Sequence, residues 1–192
     1  MMKTINLLKI GDLNHSLLVK LKKKLELRFK RFNLSVNTVQ EEIPLEETEY
    51  NPRRRQYNAI KILKKIIIYA QNKKSFHVLA VMDKDIFSSG LNFVFGRAIK
   101  PKGRVPESPI VALISITRLR ESFYGRTENK GLFELRILKE AIHELGHTFN
   151  LDHCNKLCIM RFSNSISDTD EKPPKFCEDC VSKLEIFFKN SS

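Results

Sequence analysis

Two kinds of apolar spacing alternate along the chain and lay out its elements. "TINLLKIGDL" (4–13) is a strand-like apolar run, and "HSLLVKLKKKLELRFKRF" (15–32) repeats Leu17, Leu18, Leu21 and Leu25 at helical spacing with lysines between them. "NLSVNTVQEEI" (33–43) alternates apolar and polar residues, as a half-buried strand does. After a turn between Pro44 and Pro52, "RRQYNAIKILKKIIIYAQN" (54–72) returns to helical spacing. Two continuous apolar runs, "FHVLAVMD" (76–83) and "PIVALISITRL" (109–119), read as inner strands covered on both faces. "SGLNFVFGRAI" (89–99) is shorter and bracketed by Gly90 and Gly96, which suits an edge strand. "GLFELRILKEAIHELGHTF" (131–149) is a long helix with a stripe of Leu132, Leu135, Leu138, Ile142 and Leu145.

The order strand, helix, strand, helix, three strands, helix predicts an α/β fold: a mixed twisted sheet with an antiparallel edge strand, packed by helices. From about residue 151 the pattern dissolves into an irregular cysteine-containing tail, followed by a short apolar segment, "CVSKLEIFF" (180–188). Residues 1–192 are expected to form one domain, with 1–150 as the α/β part and 151–192 as a Cys-rich appendage too poor in apolar residues to hold itself together.

Charge changes this picture little. The chain has 34 Lys and Arg against 22 Asp and Glu, a formal net charge of +12. Its basic clusters are "KLKKKLELRFKRF" and Arg53–Arg55. The first alternates with apolar helix positions and reads as a solvated face, and no groove-reading motif accompanies either cluster, so nucleic-acid binding is not expected. The opening "MMKTINLLKIGDLNHSLL" is interrupted by Lys9 and Asp12 and reads as neither signal peptide nor membrane span. A cytoplasmic location is expected, where structural disulfides are disfavoured.

The chemistry is concentrated in "KEAIHELGHTFNLDHCNKLCIM" (139–160). His143, Glu144 and His147 form HExxH on a predicted helix. Residues four apart share a helix face, so both imidazoles can point at one Zn²⁺. A straight helix supplies no third ligand beyond position 147. Asn150 is where the chain can turn back, because Asn adopts the left-handed conformation that ends helices. Two residues on come Asp152 and His153, giving HExxHxxNxxH, with His153 as third ligand and Asp152 as its rival. Glu144 lies about 100° round the helix from His143. It can take a proton from water at the metal and pass it to a leaving amine.

Cys154, Cys158, Cys177 and Cys180 form CxxxC and CxxC. Two close thiol pairs suit a closed structural zinc site; two disulfides or free buried thiols are the alternatives. A zinc there would close the tail against the active-site helix and hold His153 through its neighbour Cys154.

HExxH, a third His, then Cys, C-x-M and a final CxxC together resemble the archaemetzincins, zinc metallopeptidases of the metzincin clan. The resemblance implies that Met160, in "CIM", is the Met-turn residue under the zinc ligands. It also implies that His143, His147 and His153 bind the catalytic zinc, Glu144 is the base, and the four cysteines hold a structural zinc. "SGLNFVFG" and "FSNS" (162–165) are also similar to the family. The chain departs from the family pattern at Asn150, where Gly is usual. Its first cysteine loop and its Met-to-CxxC gap are each one residue shorter than usual.

The expected function is therefore zinc-dependent peptide-bond hydrolysis with two zinc ions per chain. Leu91, Asn92, Phe93, Val94, Phe95 and Gly96 would hold an extended peptide by strand addition. With no pro-segment to cover an active site in the cytosol, a narrow entrance or small peptide substrates are expected. The alternative is a catalytically silent, zinc-stabilised module that binds protein or nucleic acid. No pattern singles out an oxyanion stabiliser; Tyr124, Arg126 and Asn164 are guesses. His15 and His77 read as structural or surface residues.

Overall fold

A computed structural model describes residues 3–75, 77–100 and 109–189. Phe76, Met1 and Met2, which belong to segments interpreted above, lie outside the described residues.

The chain runs β1 (Lys3–Ile10), α1 (His15–Phe29), β2 (Leu34–Ile43), β3 (Tyr50–Asn51), β4 (Gln56–Asn58), α2 (Ala59–Asn72), β5 (His77–Met82), β6 (Ile86–Phe87), β7 (Gly96–Ala98), β8 (Ile110–Ser115), α3 (Lys130–Thr148), α4 (Ile166–Glu171) and α5 (Glu178–Lys189). The main sheet has the order β2-β1-β5-β8-β7. It is parallel except at its edge, where β7 pairs antiparallel with β8, Gly96 opposite Ile114 and Ala98 opposite Ala112. β3, β4 and β6 form a small second sheet.

Both faces of the main sheet are covered, as its parallel strands require. One apolar cluster joins β1, β5 and β8 to α1, α3 and α5 and continues through Cys158, Ile159 and Met160 of the tail. The other joins the opposite face to α2 through Ile62, Leu63 and Ile66. The lysines of α1 lie on its solvent side, while Leu18, Leu21, Leu25 and Phe29 are buried.

Two expectations need correction. The edge strand starts at Gly96, not before it: residues 91–95 are irregular. The carbonyls of Leu91 and Asn92 accept from Arg54 Nη2 at 3.0 and 2.7 Å, and that of Asn92 also from Gln56 Nε2 at 3.0 Å. These side chains of the β3–β4 hairpin engage the backbone groups a ladder would need. The tail is irregular only at first. α4 is started by a capping box between Ser165 and Asp168, and α5 buries Cys180, Leu184 and Phe188.

Candidate active site

α3 carries the HExxH residues and is buried on nearly every side from Arg136 to Gly146. It ends where Asn150 enters the left-handed region at φ +65°. The Leu151 N–H donates to Gly146 O and the Asn150 N–H to His147 O, both at 3.0 Å, the paired bonds of a Schellman cap. The chain then reverses. His153 brings its ring to centroid distances of 5.4 Å from His143 and 4.8 Å from His147, with Phe162 against its other side at 5.0 Å. One nitrogen of each of the three histidines lies within 4.8 Å of the others.

Their protonation states bear on whether a metal fits. His143 Nδ1 donates to Ile159 O and His147 Nδ1 to Leu151 O, each at 2.8 Å, because a carbonyl can only accept. Burial, then Lys172, holds His143 well below the usual imidazole range; burial takes His147 to about 4; burial and then Lys100 lower His153. The first two rings are therefore neutral, and each presents an Nε2 lone pair. These two atoms face each other at 3.1 Å. Two lone pairs at that distance repel unless a cation lies between them. Tetrahedral zinc at about 2.05 Å from each nitrogen would separate them by about 3.3 Å. The donor set fits zinc.

Glu144 is 5% exposed and sits directly beneath β7. A Cβ on Gly96 would fall 2.6 Å from Glu144 Cγ and 2.7 Å from Oε1, so only glycine allows this approach. Burial, with Glu140 adding to it, pushes the Glu144 carboxyl up to about 8. Met160 lies under the histidine helix. A Cβ on Gly146 would fall 2.3 Å from its sulfur, so Gly146 of HELGH makes room for Met160. His143, Glu144, His147 and His153 line a cleft of about 380 Å³. Leu91, Phe93, Val94, Phe95, Gly96 and Asn164 also line it; Asn92, Tyr124 and Arg126 do not. The Tyr124 hydroxyl donates instead to Arg118 O at 2.9 Å, and Arg126 pairs with Glu121 at 3.1 Å. Asp152 lines the cleft but is paired with Lys100.

The four cysteines also converge, each offering a sulfur within 4.8 Å of the others. Cys154 and Cys177 sulfurs lie 3.7 Å apart, too far for a disulfide and close to the roughly 3.8 Å edge of a tetrahedron with 2.3 Å zinc–sulfur bonds. The Met160 and Cys177 N–H groups point at Cys158 Sγ at 3.4 and 3.3 Å. Cys154 N–H donates to Met160 O at 2.9 Å, which closes the short loop between the two centres. His77 bonds Thr148 Oγ1 at 2.8 Å and His15 lies near Gln40, both away from the cleft.

The sequence reading missed a buried charged cluster beside the site. Arg136, Lys139 and Glu140 on α3 and Lys172 after α4 are each no more than 3% exposed. Their signal was that Lys139 and Glu140 continue the buried faces of α3.

Fold and site together define a zinc metallopeptidase. The chain belongs to Peptidase family M54, which matches it over residues 2–186. It is 39% identical to the archaemetzincin of Pyrococcus furiosus over 179 residues, 92% of this chain and 89% of that relative. Among solved structures, it resembles the archaemetzincin of Archaeoglobus fulgidus complexed with malonate (TM-score 0.73, 34% identity, 94% of this chain and 99% of that one). It also resembles a zinc-dependent peptidase from Methanocorpusculum labreanum (TM-score 0.78, 27% identity, 94% and 99%). Among the described residues, no helix is long and apolar enough to cross a membrane.

Proposed function

We propose that the chain hydrolyses peptide bonds with His143, His147 and His153 holding a catalytic zinc, Glu144 acting as base and then acid, and Cys154, Cys158, Cys177 and Cys180 holding a second, structural zinc. The observation that carries this reading is the pair of opposed imidazole lone pairs at 3.1 Å, each ring locked in place by a backbone carbonyl. Zinc bound there polarises a carbonyl and lowers the pKa of a water to about 7. Glu144 takes the proton of the attacking water and returns it to the leaving amine. Burial, with Glu140 adding to it, raises its carboxyl to about 8 before any metal binds, which favours a group that has to take up a proton and give it back. β7 has no neighbour on its outer side among the described residues, so an extended peptide can add to it over Glu144 from Gly96 onward, while Leu91 and Phe93–Phe95 line the same cleft as walls for its side chains. Met160 supports the histidine helix from below as the Met-turn residue.

The test is Glu144→Gln on protein with a measured zinc content. Hydrolysis should fall about 10²- to 10⁴-fold with both zinc ions retained. A catalytically silent module would show no change in any activity, and that result would end the peptidase reading.

A further inference from the structure

Three buried cations crowd the junction of α3 with the segment around α4, and two of them hold at least two acceptors each in hydrogen-bonding geometry. Arg136 binds both Asp170 oxygens at 2.7 and 2.6 Å, Leu119 O at 3.0 Å and Glu121. Lys139 Nζ donates to Thr169 O at 2.9 Å and Asp170 O at 2.7 Å. Lys172 differs. It is 1% exposed, and among the described residues its Nζ has a single counter-charge, Glu140 Oε1 at 3.0 Å, and no acceptor in hydrogen-bonding geometry. Glu140 Oε1 is already taking the Thr169 hydroxyl at 3.2 Å. An ammonium has three protons to place, and leaving them unmet in the interior is expensive.

Of the three, Lys172 is also the one that lines the catalytic cleft. Its position is built in. Pro173 forces the preceding residue out of the helical region, and Lys172 accordingly ends α4 at φ −67°, ψ 139°. Its side chain is thereby directed to Glu140, one helical turn before Glu144. The charges around it point the same way. Asp152 is occupied by Lys100 and Glu140 by Lys172, whereas Arg97 on β7, also lining the cleft, forms no ion pair among the described residues. Arg97 is therefore a second cleft cation free to meet a ligand, the one remaining unpaired carboxyl of the described lining being Glu144, the proposed base.

We propose that Lys172 is a specificity-determining residue, its ammonium binding a carboxylate of the peptide substrate beside the scissile bond. The carboxylate is either an Asp or Glu side chain or a free C-terminus; both present the same charged acceptor. The proposal rests on the peptidase reading above. Charge-assisted hydrogen bonds of this buried kind discriminate by about 10- to 100-fold against a neutral analogue.

The experiment uses the zinc-loaded full chain and two matched peptide series. One is N-acetylated and C-terminally amidated, with Glu or Gln on either side of the scissile bond. The other lacks acidic side chains and ends in a free acid or an amide. Cleavage is mapped by mass spectrometry, and kcat/KM ratios are compared for the native chain, Lys172→Arg, and Glu140→Gln combined with Lys172→Met, which removes both partners and strands no charge. Affinities of the same peptides are measured by calorimetry on Glu144→Gln, with and without the Glu140/Lys172 replacement. The expected result is at least a 10-fold preference for the carboxylate peptide within one series, which identifies its source. The preference should be kept by Lys172→Arg and lost in the paired replacement. A purely structural ion pair would lower stability and leave that ratio unmoved. Equal rates and affinities for acid and neutral peptides on the native chain overturn the proposal, whatever the variants do. If the native enzyme cleaves nothing, the peptidase reading fails, and the calorimetric comparison still decides the role of Lys172.

Discussion

Asn150 and Gly96 make the same demand of the backbone from opposite sides of the cleft. Asn150 must turn left-handed to send the chain back to His153, and that was legible in the sequence, because a helix stop had to follow the second imidazole. Gly96 must carry no Cβ, because Glu144 lies where the methyl would go. That was not legible: a Gly at the end of an apolar run reads equally well as a bracket for a strand. Lys172 was hidden for a related reason, since a lysine among lysines gives no sign of being buried. Replacing Gly96 with Ala should displace the Glu144 carboxylate without emptying the zinc site. A misplacement of about 1 Å costs catalysis on the order of 10²-fold, so kcat/KM should fall by about that factor while zinc content and the circular dichroism spectrum stay native. Unchanged kinetics would mean that the carboxylate does not work from where it is seen.

At the scale of elements, periodicity served well wherever packing against the sheet fixes the pattern, as in β1, β5, β8 and α1 to α3. It failed where side chains compete for the backbone. Phe93 and Phe95 alternate like strand residues, yet Arg54 and Gln56 hold the carbonyls just before them, so the ladder begins only at Gly96. The tail posed the reverse problem. α4 is short, and its start is a local capping box, Ser165 with Asp168, inside a stretch of little apolar content. On the proposed reading, a zinc held by the two cysteine pairs ties α5 to the loop that follows α3. Cys180→Ser should therefore cut the zinc content from two per chain to one and lower the melting temperature by about 10 °C or more, given that structural zinc contributes folding free energy outright and that about 1 kcal/mol shifts a chain of this size by about 2–4 °C. A variant that kept both zinc ions or its full melting temperature would remove the structural metal from the account.

Over the whole molecule, a charge of +12 leaves few carboxylates to hold many cations, so the placement of each carboxylate matters. Glu134 on α3 takes Lys20 at 3.0 Å and Lys24 at 2.8 Å, both from α1, and so bridges two of the helices that cover one face of the sheet. Hydrogen bonds from Lys24 and then Lys20 hold its carboxyl down at about 2, against 4.5 for an unperturbed Glu. A depressed folded-state value means that the folded chain binds the proton less readily than the unfolded one, so the stabilisation is complete above pH 4.5 and disappears as the pH falls toward 2. The pairs are partly solvated, and exposed pairs of this kind contribute about 0.2–1 kcal/mol each. Glu134→Gln should accordingly lower the melting temperature by about 2–4 °C at pH 7. The gap to the native chain should narrow steadily from pH 4.5 downward and shrink at high salt. A gap that persisted unchanged through that acid range would show that Glu134 acts by packing, and α1 would then owe its seat on the sheet to Leu18, Leu21, Leu25 and Phe29 alone.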